Sequence, residues 1–278
     1  MSANLLIRRV FPSISRLTYN PVFRAILRAF DVMPKAVYRE FRDLPPNDLR
    51  CRVGVGNRLF ANHVLHIKQG YNFWLYAFSR GWCDFASDIV EIGVGCGRRA
   101  FHVRDFRLEA ERFIGSYLAI DIDRELLEWC ATHFDDRFEF VQSTHASRSY
   151  VNTAAAEGSF RIPRADSSID FVFGTSVFSH LLEPEVHNYL EEGVRVLRPG
   201  RVMAMSCFCF DLAVQSVGVR HSFSKRIGNA HVQSLRQPEA AVAYESEFLK
   251  ELAVSSGFSS AEIMYHANEV QQLLVCTK

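Results

Sequence analysis

The alternation of apolar and polar positions divides the chain near Asp88. Before it, apolar residues recur at helical spacing, most clearly in "NPVFRAILRAF" (20–30) and "YNFWLYAFSRGW" (71–82). After it, short apolar runs alternate with amphipathic stretches. The predicted strands are "DIVEI", "SYLAI", "FEFV", "IDFVFGT" and "RVMAMSCFCF", and the helices between them include "RRAFHVRDF", "RELLEWCATHF" and "PEVHNYLEEGVRVL". Because strands separated by helices need crossover connections, this pattern predicts an α/β domain with a doubly wound, mostly parallel sheet.

The last part of the chain has a different pattern. "ESEFLKELAVSSG" predicts a helix, and it is followed by the apolar runs "AEIMYHA" and "VQQLLVCT", with only a few residues around Asn268 between them. So short a link permits an antiparallel hairpin and excludes a parallel crossover. We therefore expect an antiparallel strand at the C-terminal end of the sheet.

Composition narrows the class of protein. The 278 residues are 48% hydrophobic and 23% charged, and the formal net charge is +1, so we expect a globular protein with no nucleic-acid partner. Seven cysteines without a CxxC pair indicate buried thiols in a reducing cytoplasm, rather than disulfides or structural zinc. No apolar run reaches the length of a membrane span, and Arg8 and Arg9 interrupt the first apolar stretch, which argues against a signal peptide.

Residues 1–30 contain five arginines and no acidic residue. Within them, 20–30 predicts a basic amphipathic helix, with Asn20 as its cap and Pro21 in its first turn. Three hypotheses stay open: a helix that packs on the main domain and leaves its arginines in water, a peripheral membrane anchor, or a transit peptide.

The Pro-rich segment "DLPPNDLR" (43–50) predicts a boundary. We expect an N-terminal helical extension at 1–48 and a main domain at 49–278. Within the main domain we expect a helical lid at 49–87 and an insertion at 211–244 that shapes a substrate pocket.

The stretch "VEIGVGCG" places three glycines directly after the first predicted strand. Their spacing, G-x-G-x-G, differs from the dinucleotide fingerprint G-x-G-x-x-G, and the GK[ST] ending of a phosphate loop is absent. Glu91 adds negative charge where a pyrophosphate would be repelled, but S-adenosylmethionine is cationic and free of phosphate. Asp121, at the end of the second strand, can accept hydrogen bonds from both ribose hydroxyls, and Ile122 can lie against the adenine.

In this order, "VEIGVGCG", "YLAIDID", "ADSSIDFVFGTSVFSHL" and "VLRPG" resemble the class I S-adenosylmethionine-dependent methyltransferases over roughly residues 88–210. The lead-in "PPNDLRCRVG" resembles a bacterial subgroup of largely unassigned substrate. The resemblance implies a Rossmann-like sheet with an antiparallel last strand and S-adenosylmethionine as cofactor. The family often has an aspartate after the third strand, where this chain offers Ser143 or Thr144. The cofactor-binding residues it implies are Glu91, Gly93, Val94, Gly95, Gly97, Asp121, Ile122, Thr144 and Gly174.

His180, after the fourth strand, is the candidate general base, because the carboxyl end of that strand should face the methyl group. The alternative is that His180 only packs against or caps the following helix. We expect a methyltransferase acting at oxygen on a small molecule, a glycan or a lipid-linked precursor. Two alternatives are a nucleotide-cofactor oxidoreductase on the same fold and a non-catalytic cofactor-binding scaffold whose N-terminus binds a membrane or a partner.

Overall fold

A mixed β-sheet organises the molecule. The structure is a computed structural model, and it describes residues 18–53, 62–108, 110–145, 147, 159–213, 221–265 and 270–278. Five strands run parallel in the order β5-β4-β1-β6-β7, β12 pairs antiparallel with β7, and β11 pairs antiparallel with β12. These strands are β1 (Ile89–Ile92), β4 (Tyr117–Asp121), β5 (Phe138–Gln142), β6 (Ile169–Gly174), β7 (Leu197–Cys209), β11 (Ser260–Met264) and β12 (Gln272–Thr277). The mostly parallel sheet with its antiparallel C-terminal hairpin confirms the predicted fold class.

Helices connect the strands and precede them. In chain order they are α1 (Pro21–Val37), α2 (Asn47–Arg50), α3 (His63–Ser79), α4 (Arg98–Asp105), α5 (Arg124–Ala131), α6 (Glu183–Val196), α7 (Phe210–Ala213) and α8 (Ser246–Ser255), with short 3₁₀ turns at Arg39–Phe41, Phe178–His180 and Pro238–Ala240. Among the described residues, no helix has the length and apolar character needed to cross a bilayer.

The structure also contains short strands that the sequence did not predict. β2 (Arg107–Leu108) and β3 (Glu111–Arg112) form a small hairpin. In the segment predicted as an insertion, β8 (Lys225–Ile227), β9 (Ala230–Val232) and β10 (Val242–Tyr244) pair in sequence, and β10 joins the end of β7 in parallel.

The core lies on both faces of the sheet because each strand alternates its side chains. On β1, Val90 and Ile92 belong to the cluster on one face, and Ile89 belongs to the cluster on the other face with Phe171 and Phe173 of β6. Both phenylalanines are fully buried. α3 lies within the segment predicted as a lid, and its Trp74 is fully buried in the same aromatic cluster.

α1 attaches to the main domain by its polar side. The side chain of Asn20 caps the helix, accepting hydrogen bonds from the amides of Val22 at 3.0 Å and Phe23 at 3.2 Å. Arg24 and Arg28 donate through Nε to the two carboxylate oxygens of Asp48, at 2.9 and 3.0 Å. Arg24 is thus largely buried in its ion pair with Asp48, whereas Arg28 pairs with Asp48 and keeps 55% of its side chain exposed. Residues 1–17 of the predicted extension lie outside the described residues.

Candidate active site

The glycine turn leaves β1 at the point where strand order reverses, between β1 and β6. Gly93 has φ = 77° and Gly95 has φ = 56°, a backbone region that L side chains rarely adopt. A Cβ at Gly93 would lie 2.3 Å from Cγ2 of Val177, and one at Gly95 would lie 2.9 Å from the methyl carbons of Val53. The turn therefore requires glycine at both positions, and it forms the floor of a cleft.

The cleft encloses about 1220 Å³, counting the space at its open mouth. Of the predicted site residues, the structure brings five into its wall. These are Gly93, Gly95, Asp121, Ile122 and His180.

Asp121 is held in place by the glycine turn. Its carboxylate accepts hydrogen bonds from the amide of Gly95 at 2.7 Å and the amide of Asp123 at 3.0 Å. Burial raises the pKa of Asp121 to about 6, and these amide hydrogen bonds oppose the rise. At neutral pH the carboxylate is ionised and oriented along the cleft, where it can accept hydrogen bonds from two vicinal hydroxyls.

Glu91 lies behind the turn rather than in the cleft wall. It is fully buried, and Oε2 accepts a hydrogen bond from the hydroxyl of Tyr117 at 2.6 Å. Burial raises its pKa to about 7, and the charge of Arg99 opposes this most strongly. Oε1 has no hydrogen-bond partner among the described residues. Direct contact between Glu91 and the cofactor stays a prediction.

The other predicted cofactor residues support the cleft without lining it. Val94 is buried in the aromatic cluster, Gly97 precedes α4 as its cap, and Gly174 is the last residue of β6, paired with Ile92. Thr144 is absent from the cleft wall, whereas its neighbours Ser143, His145 and Ser147 contribute to it.

Three arginines in the cleft wall, Arg52, Arg98 and Arg99, were missed by the sequence analysis. Arg98 is 7% exposed and donates to the carbonyl of Val53 at 2.9 Å, while the Arg99 guanidinium lies 5.3 Å from the centre of the Phe73 ring. Arg52 pairs with Asp123 at 3.3 Å. The basic pair that follows the last glycine was the available signal: the start of α4 must lie close to whatever the glycine turn binds.

His180 stands at the end of the short 3₁₀ turn after β6. Its Nδ1 lies 2.8 Å from the backbone carbonyl oxygen of Glu239. Because a carbonyl oxygen only accepts, Nδ1 carries the hydrogen, and Nε2 of the neutral ring is the basic nitrogen. Burial lowers the pKa of His180, and the hydrogen bond to Glu239 opposes this. The ring is therefore neutral at pH 7 and able to accept a proton.

Two carboxyl groups, Glu185 at the start of α6 and Glu239 in the last 3₁₀ turn, line the cleft beside His180. Oε2 of each is buried and accepts no hydrogen bond from the described residues. Burial raises the pKa of Glu185, and repulsion from Glu239 adds to the rise. Buried acceptor atoms of this kind need donors, so this part of the cleft suits a ligand that brings its own.

The donor set fits S-adenosylmethionine. The cleft wall has groups of the kinds that this cofactor needs: a carboxylate at Asp121, an apolar side chain at Ile122 and a guanidinium at Arg99. The glycine turn allows the backbone to approach closely, and it has neither the lysine nor the spacing of a phosphate loop.

Comparison with known proteins finds matches to the part of the chain that contains the glycine turn. Residues 90–205 match the model of a methyltransferase domain family. A Haloferax volcanii structure, the Trm112 methyltransferase activator in complex with a methyltransferase, is 17% identical. The match covers 76% of this chain and 90% of the chain in that structure, with a TM-score of 0.51. A Pyrococcus horikoshii OT3 protein is 13% identical over 78% of this chain and 92% of its own chain, also with a TM-score of 0.51. The two structures share the fold. By this match residues 90–205 are a methyltransferase domain, and S-adenosylmethionine is the cofactor that the match implies.

Proposed function

We propose that this protein transfers the methyl group of S-adenosylmethionine to a hydroxyl oxygen of a small molecule, a glycan or a lipid-linked precursor. The observation that carries the proposal is the Nδ1 contact of His180, a residue of the cleft wall, with the Glu239 carbonyl, because this contact places the hydrogen on Nδ1 and makes Nε2 the basic nitrogen. The seven cysteines are buried, which supports a reducing cytoplasm as the compartment.

The bound cofactor supplies an electrophilic methyl carbon. A neutral alcohol is a weak nucleophile, so it needs a group that takes its proton as the oxygen–carbon bond forms and the carbon–sulfur bond breaks. His180 Nε2 accepts that proton. Asp121 and the glycine turn hold the cofactor while the cleft wall holds the acceptor, and this alignment lowers the barrier further.

Glu185 and Glu239 favour a hydroxyl-rich acceptor. Their buried Oε2 atoms lack donors among the described residues, and each hydroxyl that reaches them satisfies an otherwise costly buried acceptor. A glycan or polyol supplies several such donors at once.

The test is the release of S-adenosylhomocysteine in the presence of a panel of hydroxylated acceptors. His180→Ala should lower kcat by about 10²- to 10⁴-fold and leave cofactor affinity unchanged. His187→Ala is the matched control, because His187 lies on α6 with 43% of its side chain exposed, away from the cleft. Full turnover by the His180 variant would show that another group takes the proton.

The methyltransferase family match leaves no support for the nucleotide-cofactor oxidoreductase. The scaffold alternative makes a different prediction in the same assay. A scaffold would bind S-adenosylmethionine and release no S-adenosylhomocysteine with any acceptor, whereas an enzyme releases it with at least one.

A further inference from the structure

α1 presents an uninterrupted apolar surface to solvent. Its inward side carries Leu27, which is fully buried, together with charged residues, among them Arg24, which pairs with Glu125, and Asp31, which pairs with Arg50. We call the opposite side the outer face; all its residues are exposed. They are Val22, Ala25, Ile26, Ala29, Val32, Met33, Ala36 and Val37.

The exposure of the outer face is large. Met33 is 76% exposed, Val22 71% and Val32 68%. At 1.5 Å rise per residue, the seventeen residues of α1 extend the face over about 25 Å. Contiguous exposed apolar surface of this kind marks an interaction site.

The polar side of the helix is already committed to other contacts. Asp48, fully buried, pairs with Arg24 and Arg28, and Arg24 also pairs with Glu125 at the start of α5. Lys35 pairs with Asp31 at 3.5 Å. An ordinary amphipathic helix buries its apolar side, whereas α1 turns its apolar side outward, so the helix is arranged for a partner that is itself apolar.

Charge around the outer face specifies that partner. Residues 1–43 contain eight lysines and arginines against three acidic residues. Arg39 and Arg42, directly beyond the end of α1, are exposed, and Arg28 keeps 55% of its side chain exposed despite its ion pair. An apolar helix face in a segment whose sequence has surplus cations matches the interface of an anionic bilayer, where acyl chains take the apolar side chains and headgroups take the cations.

We propose that the outer face of α1 binds the surface of an anionic lipid bilayer. The helix lies in the plane of the interface with the outer face towards the acyl chains. The ion pairs of Arg24 with Glu125 and of Asp31 with Arg50 keep the main domain attached to it. This inference goes beyond methyl transfer and does not depend on which acceptor the cleft takes.

The test is flotation of the full chain with vesicles of phosphatidylcholine containing about one third phosphatidylserine, against phosphatidylcholine alone. The wild-type chain should float with the anionic vesicles and bind the neutral ones more weakly. Val22→Glu with Met33→Glu should lower the bound fraction about tenfold or more, because two charges would enter the apolar zone. The control is Val254→Glu with Leu235→Glu, two exposed apolar positions elsewhere.

Three results would overturn the proposal. One is a wild-type chain that stays unbound, and another is equal flotation of the outer-face variant and the control. The third is a wild-type chain that does not bind vesicles and sediments as a dimer, while the outer-face variant sediments as a monomer. This result would assign the face to a second copy of the chain. Both variants should keep the wild-type unfolding midpoint and cofactor affinity, which separates a lost surface from a lost fold and from any failure of the proposed enzyme.

Discussion

The cofactor site depends on how single carboxyl groups are held. Asp121 accepts hydrogen bonds from two backbone amides and lines the cleft. Glu91 accepts a hydrogen bond from the hydroxyl of Tyr117 and lies in the interior. The two acids were predicted from sequence as a pair with one ligand between them. The difference arises from strand alternation: Glu91 shares its side of β1 with Ile89, while Asp121 ends its strand and is turned by the following backbone.

At the residue scale we predict the contribution of Asp121 to cofactor binding. Asp121→Ala should weaken S-adenosylmethionine binding by about 1.5–3 kcal/mol, because hydrogen bonds from the ribose to a charged acceptor are lost. Titration calorimetry at pH 7 measures the change. Asp136→Ala is the control, since Asp136 is exposed and lies outside the cleft wall. Unchanged affinity in a folded Asp121 variant would show that the ribose does not bind at Asp121.

The raised pKa of Asp121 predicts a pH dependence. Its carboxylate is ionised above pH of about 6 and protonated below it, so affinity for the cofactor is present at neutral pH and lost on acidification. From pH 7 to pH 5 the dissociation constant should rise about tenfold for a single protonation that blocks binding. Asp121→Asn should bind more weakly at pH 7 and show a flatter profile. An identical slope in that variant would assign the titration to another group.

At the scale of elements, α1 is attached to α2 and α3 by a buried polar network rather than by apolar packing alone. Asp31 accepts hydrogen bonds from the amide of Asn47 at 2.9 Å and from Nη2 of Arg50 at 2.6 Å, and it lies 2.7 Å from Nε2 of His63. Burial acts to raise the pKa of Asp31, but the hydrogen bond and charge of Arg50 outweigh it and lower the pKa. The helix thus has a fixed orientation.

Removal of Asp31 tests this attachment. Asp31→Ala leaves Arg50, which is fully buried, without its counter-charge, and the expected cost is about 3–5 kcal/mol of unfolding free energy. Urea denaturation measures it, and proteolysis should cut near α1 sooner than in the wild type. Asp43→Ala, at an exposed position, should change the stability little. A loss below about 0.5 kcal/mol would mean that α1 is held by other contacts.

At the scale of the whole molecule, hydrophobic periodicity was enough to predict the five parallel strands and the C-terminal hairpin. β1, β4, β6 and β7 each contain a buried apolar run, and the helices between the strands have a different period. β8 and β9 were not predicted, because each has only three residues and those of β8 are all exposed. Sequence also missed Glu185 and Glu239: an acid in the first turn of a helix is ordinary there, and only the fold brings the two together. The sequence also could not predict that the apolar face of α1 is exposed. A helical period shows that the two faces of a helix differ, but it does not show which face packs on the protein.

One hydrogen bond links the segment just before α1 to the cleft. The hydroxyl of Tyr19, just before α1, donates to Asp123 at 2.9 Å, and Asp123 lines the cleft beside Asp121 and pairs with Arg52. If a bound surface favours a shift of α1, this hydrogen bond carries the shift to the cleft wall. Linkage makes such coupling reciprocal: the factor by which vesicles change the dissociation constant of S-adenosylmethionine is the factor by which S-adenosylmethionine changes partitioning to the vesicles.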